Sequence, residues 1–294
     1  MEALPNMTGA ITVNFDYNNA PALHPDVVVA RIKKLYEKTL WGRDLLGFEK
    51  VDGEAISYIT ESEIKGGVDF IGEEGGIPKI EFEYGKKSKV IRPYGSYFDV
   101  TEAEVQHARY NMTKRKISRS VRQIREFEDA LIYNDILNAD DLLTKDGSNW
   151  TDPATGNPLS DFEAARTLIK DATKGTKPDT LVMSDATFEY LTSFDVIRNR
   201  LYLAGNYVAT GTIPAISGMQ IVVDDAVSPN GETQVLALKK KEIGYMAQTL
   251  DLQTPHVAGL MMSNPLINQR YFVYTQAEPV IDNAEMGCLI SVGA

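Results

Sequence analysis

The 294-residue chain holds one cysteine, Cys288, so neither an internal disulfide nor a cysteine-based zinc site can form within it. Histidine is almost as scarce. His24, His107 and His256 lie far apart and lack metal-ligand spacing. His24 precedes Pro25 and reads as a turn residue; His107 reads as a solvated side chain on a charged helix. Long apolar runs are missing: no segment approaches the roughly 18 apolar residues of a membrane span, so no membrane partner is expected. The start MEALPNMTGAITVNFDYNN has neither the positive beginning nor the apolar stretch of a secretory signal. With the lone cysteine, this points to a reducing cytoplasm, and the Asn-X-Thr triplets at Asn6, Asn111 and Asn149 are read as coincidental. Positive charge is in deficit, with 30 Lys and Arg against 41 Asp and Glu. A net charge of -11 argues against a general nucleic-acid binder unless basic residues are locally concentrated.

Catalytic signatures are also absent. There is no G-x-S-x-G elbow, no P-loop and no dinucleotide fingerprint. GGVDFIGEEGG (66–76) is glycine-rich, but no strand-turn-helix context follows it, and Glu73-Glu74 would repel phosphate. DGSNWTD (146–152) resembles the start of a calcium loop. Its twelfth position is Asn157 where a bidentate Glu is needed, so it reads as a solvated turn. Asp224-Asp225 reads as a turn cap, and Cys288, inside an apolar strand pattern, as a buried inert thiol. The chain is therefore read as a non-enzyme, with no catalytic, cofactor-binding or metal-binding residue and no cofactor.

What remains is pattern. A hydrophobic content of 43% supports a real core. Residues 1–24 read as an extended arm. A helix follows from Pro25, with Val28, Ile32, Leu35 and Tyr36 on one face. From Ile56 the period changes to two. ISYITESEI and PKIEFEY alternate, placing Ile80, Phe82 and Tyr84 on one face of a long hairpin whose connection carries two Gly-Gly pairs. A two-stranded hairpin is marginal alone in water and needs a surface to lie on. A turn is expected at Arg92-Pro93-Tyr94-Gly95, then a helix. Thr101 and Glu104 have capping-box spacing, and no Pro or Gly interrupts residues 102–139. That is a helix of roughly 50 Å, with Ala103, Tyr110, Ile117, Val121, Ile124 and Leu131 on one apolar stripe, suited to a spine that braces separate parts. Between Arg109 and Arg125 it carries seven basic residues and no acidic one. Arg122 can pair with Glu126 and Arg125 with Asp129 at helical spacing. Lys114, Arg115, Lys116 and Arg119 have no such partner within the helix and call for a neighbouring subunit, solvent or phosphate. KDGSNWTDPATGNP reads as a loop, SDFEAARTLIKDATKG as a capped helix ending at Gly175, DTLVMS as a buried strand and DATFEYLTSFDVIRNR as a further helix. After the Gly-rich stretch YLAGNYVATGTIPAIS come strands in GMQIVVDD, TQVLALKKK, RYFVYTQAEPVI and GCLISV.

This order of parts resembles the major capsid proteins of tailed bacteriophages and related archaeal viruses, the Hong Kong 97-like fold that encapsulin shells share. The local echoes are IRPYGSYFDVTEAEV, KPDTLVMSDATFEYL and GMQIVVDDAV. The resemblance implies an α+β chain with an arm and short helix (1–50), an extended hairpin loop (51–95), a peripheral domain with the spine helix (96–158 and 249–294) and an α/β axial domain (159–248). It implies a hairpin at 56–90 lying across a neighbouring subunit through Ile80, Phe82 and Tyr84, and a loop at 201–217 lining a symmetry axis. The implied function is a coat subunit that assembles with itself, as pentamers and hexamers, into an icosahedral shell around double-stranded DNA. An encapsulin-type compartment is the alternative, and a soluble enzyme with an unseen site a third reading. Expected partners are portal, scaffold and decoration proteins, with Lys114, Arg115, Lys116 and Arg119 as possible DNA-facing residues. The expected location is the virion, and the host cytoplasm during assembly. Some family members cross-link a hairpin lysine to a peripheral asparagine; Lys79, Lys86, Lys87, Lys89 and Asn283 are candidates by type.

Overall fold

The computed structural model describes residues 25–37, 42–65, 81–101, 104, 110–197, 215–228, 231–258 and 267–293. The arm 1–24, most of the loop 201–217, and Lys79, Ile80, His24 and His107 lie outside them. The chain is α+β. Its elements in order are α1 (Pro25–Glu37), α2 (Gly42–Leu45), β1 (Gly47–Lys50), β2 (Ala55–Lys65), β3 (Glu81–Val90), β4 (Pro93–Thr101), α3 (Tyr110–Leu137), β5 (Leu143–Asn149), α4 (Pro158–Ala172), β6 (Thr180–Met183), α5 (Asp185–Ser193), β7 (Gln220–Val223), β8 (Gln234–Leu238), β9 (Gly244–Gln253), β10 (His256–Ala258), β11 (Ile267–Ile281) and β12 (Gly287–Gly293). They fall into two units. The first comprises Met1–Thr39, Pro93–Arg125 and Leu250–Thr275; the second comprises Leu40–Arg92, Glu126–Thr249 and Gln276–Ala294.

In the first unit, α1 buries Val28, Ile32 and Tyr36, the face its spacing announces. The turn expected at 92–95 is instead the start of a strand, β4, which pairs with β11. Pro93 is its first residue, where a missing N–H disturbs the ladder least. Gly95 is needed for close approach: a Cβ there would lie 2.3 Å from the Val273 carbonyl oxygen and 2.5 Å from the Tyr274 Cβ. Phe98 and Val100 point inward, and Phe98 stacks on Tyr271 with ring centroids 5.2 Å apart. Helix α3 lies along this inner side. Lys116 Nζ donates to the Asp99 carbonyl at 2.7 Å, and the Ser96 and Ser120 hydroxyls share a hydrogen bond. The capping box forms as its spacing predicts: Thr101 N–H donates to Glu104 Oε2 at 2.9 Å, and Glu104 N–H donates back to Thr101 Oγ1 at 3.4 Å.

The second unit is built on a five-stranded sheet in the order β5-β12-β8-β6-β7, with β6 and β7 parallel, β8 antiparallel to both β6 and β12, and β5 parallel to β12. Strand β12, from the segment assigned above to the peripheral part, thus hydrogen-bonds to β8. Both sheet faces are covered. Leu181, Met183, Val235, Ala237, Cys288 and Ile290 meet α4, α5 and Trp150 on one side. Val182, Leu236 and Leu238 meet Ile132, Tyr133 and Ile136 of α3 and Leu45 and Leu46 on the other. The KDGSNWTDPATGNP segment is not all loop, since residues 143–149 form β5. Its polar side chains cap and tie: Asp161 Oδ2 accepts from Ser148 N–H (2.9 Å), Ser148 Oγ (2.6 Å) and Trp150 Nε1 (2.8 Å), and Asn157 caps α4. The helix expected over 185–200 is interrupted after Ser193, because Phe194 turns extended (φ -72, ψ 124) and buries its ring in the core; residues 195–197 are helical again. Asp224 does cap a turn, accepting from Ala226 N–H at 3.0 Å and from Tyr133 Oη at 3.2 Å. Strand β9, which periodicity did not announce, pairs in parallel with β1.

The lower half of α3 holds what the helical stripe hid. Leu131 is only half-buried, while Ile132, Tyr133 and Ile136 are fully buried, and Glu128 and Asp129 are buried beside them. Both carboxylates serve α2. Asp129 Oδ1 accepts the Gly42 N–H at 3.0 Å, and Glu128 pairs with Arg43, whose Nη1 also donates to Gln248 at 3.0 Å. A Cβ at Gly42 would sit 2.4 Å from Asp129 Oδ1.

Candidate assembly surfaces

Strands β2 and β3 form a two-stranded ribbon with Ala55 opposite Val90 at its base and Glu61 opposite Tyr84 farther out. It is a separate sheet, paired with no other described strand. A shift of register between Glu61 and Ile64 marks an irregularity near its outer end, where Phe82 faces Ile64 across the ladder. The apolar hold is near its base: Ile56 and Ile91 pack with Ala247 and Val280, with half-buried Val51, Tyr58 and Tyr245 against them.

Two of the candidate lysines are engaged within their own chain. Lys87 Nζ donates to Asp140 Oδ2 at 2.8 Å. Lys89 Nζ is bound to Asp135, to the Pro279 carbonyl at 2.9 Å and to Glu278 Oε1 at 3.4 Å. Lys86 is exposed. Asn283 precedes a short turn at 284–286 without a side-chain cap bond. Nothing in the sequence signals the Lys89 cluster, whose members are 46 and about 190 residues apart.

Burial holds the Glu278 carboxyl above the ordinary carboxylate range, against the opposing pull of Lys89. The folded protein therefore binds a proton there more tightly than the unfolded chain does. The ionised form weakens the fold at neutral pH, and this loss disappears as pH falls below the unfolded value of about 4.3. Glu278→Gln is expected to raise the melting temperature at pH 7 and to leave it unchanged near pH 4; an equal effect at both pH values would count against this origin.

The outward side of α3 separates the four basic candidates. Lys114, Arg115 and Arg119 are exposed and form no ion pair among the described residues. Lys116 is half-buried and taken up by Glu104 Oε1 at 2.8 Å and by the Asp99 carbonyl, so its charge is answered locally. Sequence spacing missed this because Glu104 lies twelve positions away.

The outer face of β4 and β11, turned away from α3, is aromatic. Pro93, Tyr97, Phe272 and Tyr274 line a shallow groove there, and Tyr97 is 59% exposed. Arg270 grips Asp99 with two hydrogen bonds (2.6 and 2.9 Å) and lies 4.4 Å from the centre of the Tyr97 ring. RYFVYTQAEPVI reads only as a strand; the alternation of Arg270, Phe272 and Tyr274 within it is the signal that could have marked this face.

Elsewhere the chemistry is quiet. Cys288 is buried, and burial pushes its thiol up to about 11. His256 stacks on Tyr271. Among the described residues no three His, Cys, Asp or Glu side chains gather as a metal site, and no helix is long and apolar enough to cross a membrane.

Residues 86–261 match the family model for phage capsid protein. No curated protein sequence matches the chain. Solved structures do. The capsid of Cyanophage P-SCSP1u is similar with a TM-score of 0.64 at 11% identity, over 87% of this chain and 88% of that one. A virus-like particle from Pyrococcus furiosus is similar with a TM-score of 0.60 at 14% identity, over 90% and 97%. A phage-related protein from Bordetella bronchiseptica RB50 gives 0.57 at 16% identity, over 89% and 96%. These likenesses carry the Hong Kong 97-like fold, and the family match takes in more than half of the chain: it belongs to the phage capsid protein family.

Proposed function

We propose that the chain is the coat subunit of an icosahedral shell, assembling with copies of itself as pentamers and hexamers around a double-stranded DNA genome. The observation that carries this reading is the family match over residues 86–261 on a chain that extends an isolated two-stranded ribbon. Such a ribbon is marginal in water, and a neighbouring copy supplies the surface it lacks. The role is structural and not enzymatic. In this reading the hairpin face of Ile80, Phe82 and Tyr84 lies on the next subunit, and the loop 201–217 approaches the symmetry axis of the axial domain. Portal, scaffold and decoration proteins complete the particle, which is built in the host cytoplasm. The encapsulin-type compartment has no observation of its own in its favour. Electron microscopy of the purified protein tests the reading: closed shells support it, and a dispersed monomer or dimer opposes it. Nucleic acid inside shells made during infection then separates a coat from a compartment.

The exposed face of Lys114, Arg115 and Arg119 is the part suited to packaged DNA, since phosphate contacts need uncommitted cations. Arg115→Glu with Arg119→Glu is expected to leave empty shells intact and to lower the salt and heat tolerance of filled ones. Failure to form even empty shells would assign these charges to subunit contacts instead.

A further inference from the structure

Lys87 and Lys89 stand two residues apart on one side of β3, and each meets a carboxylate from another part of the second unit. Their environments differ. The Lys87 and Asp140 side chains are 43% and 80% exposed, a setting in which an ion pair contributes little. Those of Lys89, Asp135 and Glu278 are 26%, 22% and 13% exposed, so their attraction is much less screened. Lys89 also touches two elements at once, Asp135 on α3 and Glu278 with the Pro279 carbonyl on β11.

The ribbon needs such a fixture. Its apolar foothold is Ile56 and Ile91, with half-buried Tyr58 packed against the same cluster, tied by Ile91 N–H to the Glu54 carbonyl (2.8 Å) and by Gln276 Nε2 to the Ile91 carbonyl (3.0 Å). At the base Val90 is 57% exposed, and farther out residues 85–88 are open to solvent. A strand rises roughly 3.3 Å per residue, so from the level of Lys89 to Ser62 the ribbon is a lever of about 20 Å, and a tilt of about 10° at its foot moves that point by roughly 3 Å. These apolar contacts lie near the foot of the ribbon, where a small tilt is amplified along its length. A cation held from two directions opposes it well.

We propose that Lys89 is the positioning residue of the hairpin: bound between Asp135 and the Pro279 carbonyl, it fixes the direction in which the ribbon leaves its own unit. The consequence for assembly rests on the shell reading above; the direction itself does not.

The test uses the full-length, unassembled subunit with nitroxide labels on cysteines introduced at Ser62 in β2 and Lys170 on α4, where the buried Cys288 escapes labelling. Pulsed electron resonance then reads the distance distribution between ribbon and α4. Lys89→Gln is expected to broaden or shift it by on the order of 3 Å, Lys89→Arg to keep it narrow, and Lys87→Gln to leave it unchanged. Asp135→Asn should reproduce the loss from the other side, so the result does not hang on one variant's folding. An unchanged distribution in both Lys89→Gln and Asp135→Asn overturns the proposal, as does equal broadening by Lys87→Gln. Should Lys89→Gln broaden the distribution while shells still form at the normal yield, the positioning role stands and the hairpin's part in assembly falls.

Discussion

Truncating Glu128 to alanine will cost the fold about 3–5 kcal/mol, the range for removing one partner of a buried ion pair. The Glu128 side chain is 1% exposed and that of Arg43 12%, so neither charge has water to fall back on. With the carboxylate gone, the guanidinium stays buried against α3, with Gln248 as a neutral acceptor. The neighbouring bond from Gly42 N–H to Asp129 holds the same four-residue helix, and Gly42 cannot move aside without opening it. The loss therefore extends to Leu45 and Leu46, which α2 and the residue after it deliver to the core. Replacing both partners together, Arg43→Met with Glu128→Leu, should cost far less, because no charge is stranded. Urea denaturation of the unassembled subunits measures both. A loss below about 1 kcal/mol for Glu128→Ala, the size of a surface pair, would mean that solvent reaches the site after all.

That pair also shows where reading from sequence stops. Periodicity marked the α3 stripe correctly at Ile117, Val121 and Ile124, because local helical geometry alone decides which side chains share a face. It could not mark Glu128 and Asp129 as buried, since their burial depends on Arg43 and Gly42, more than 80 positions away. The same limit explains β4 and β5. RPYG has turn chemistry, and LTKDGSN is polar, yet both are strands because β11 and β12 offer them hydrogen bonds. Runs of apolar residues, by contrast, announced β6 and β8, which are buried on both sheet faces, and β12, which buries Cys288, Ile290 and Val292 on one. The basic side of α3 was legible as a count of charges. That Lys116 is neutralised by Glu104 while Lys114, Arg115 and Arg119 stay open needed the path of β4 along the helix. The order of elements, a long-range property that survives errors in single strands, pointed to the capsid fold despite the missed strands.

Replacing residues 62–83 by Asn-Gly is expected to abolish closed shells and leave the subunit folded. The design follows from the ladder: Glu61 and Tyr84 are direct partners, so a two-residue type I′ turn joins them without disturbing the strands below. Everything that anchors the ribbon stays, namely Ile56 and Ile91 in their cluster, the Lys89 contacts and the Lys87 pair. The sheet β5-β12-β8-β6-β7 and its two cores contain no residue from the deleted segment. Stability should therefore change by no more than about 1 kcal/mol, as for a surface change. What disappears is the outer ribbon with Ile80 and Phe82, and the strand support for Tyr84. Burying three such side chains against a neighbour contributes on the order of 5 kcal/mol per subunit before entropy costs. In the proposed shell that contact recurs at every subunit, so its loss is multiplied across the particle, whereas the monomer lacks it. Melting curves alongside electron micrographs separate the two effects. A folded variant that yields only small oligomers is the expected result, and normal shells from it would remove the hairpin from the assembly mechanism.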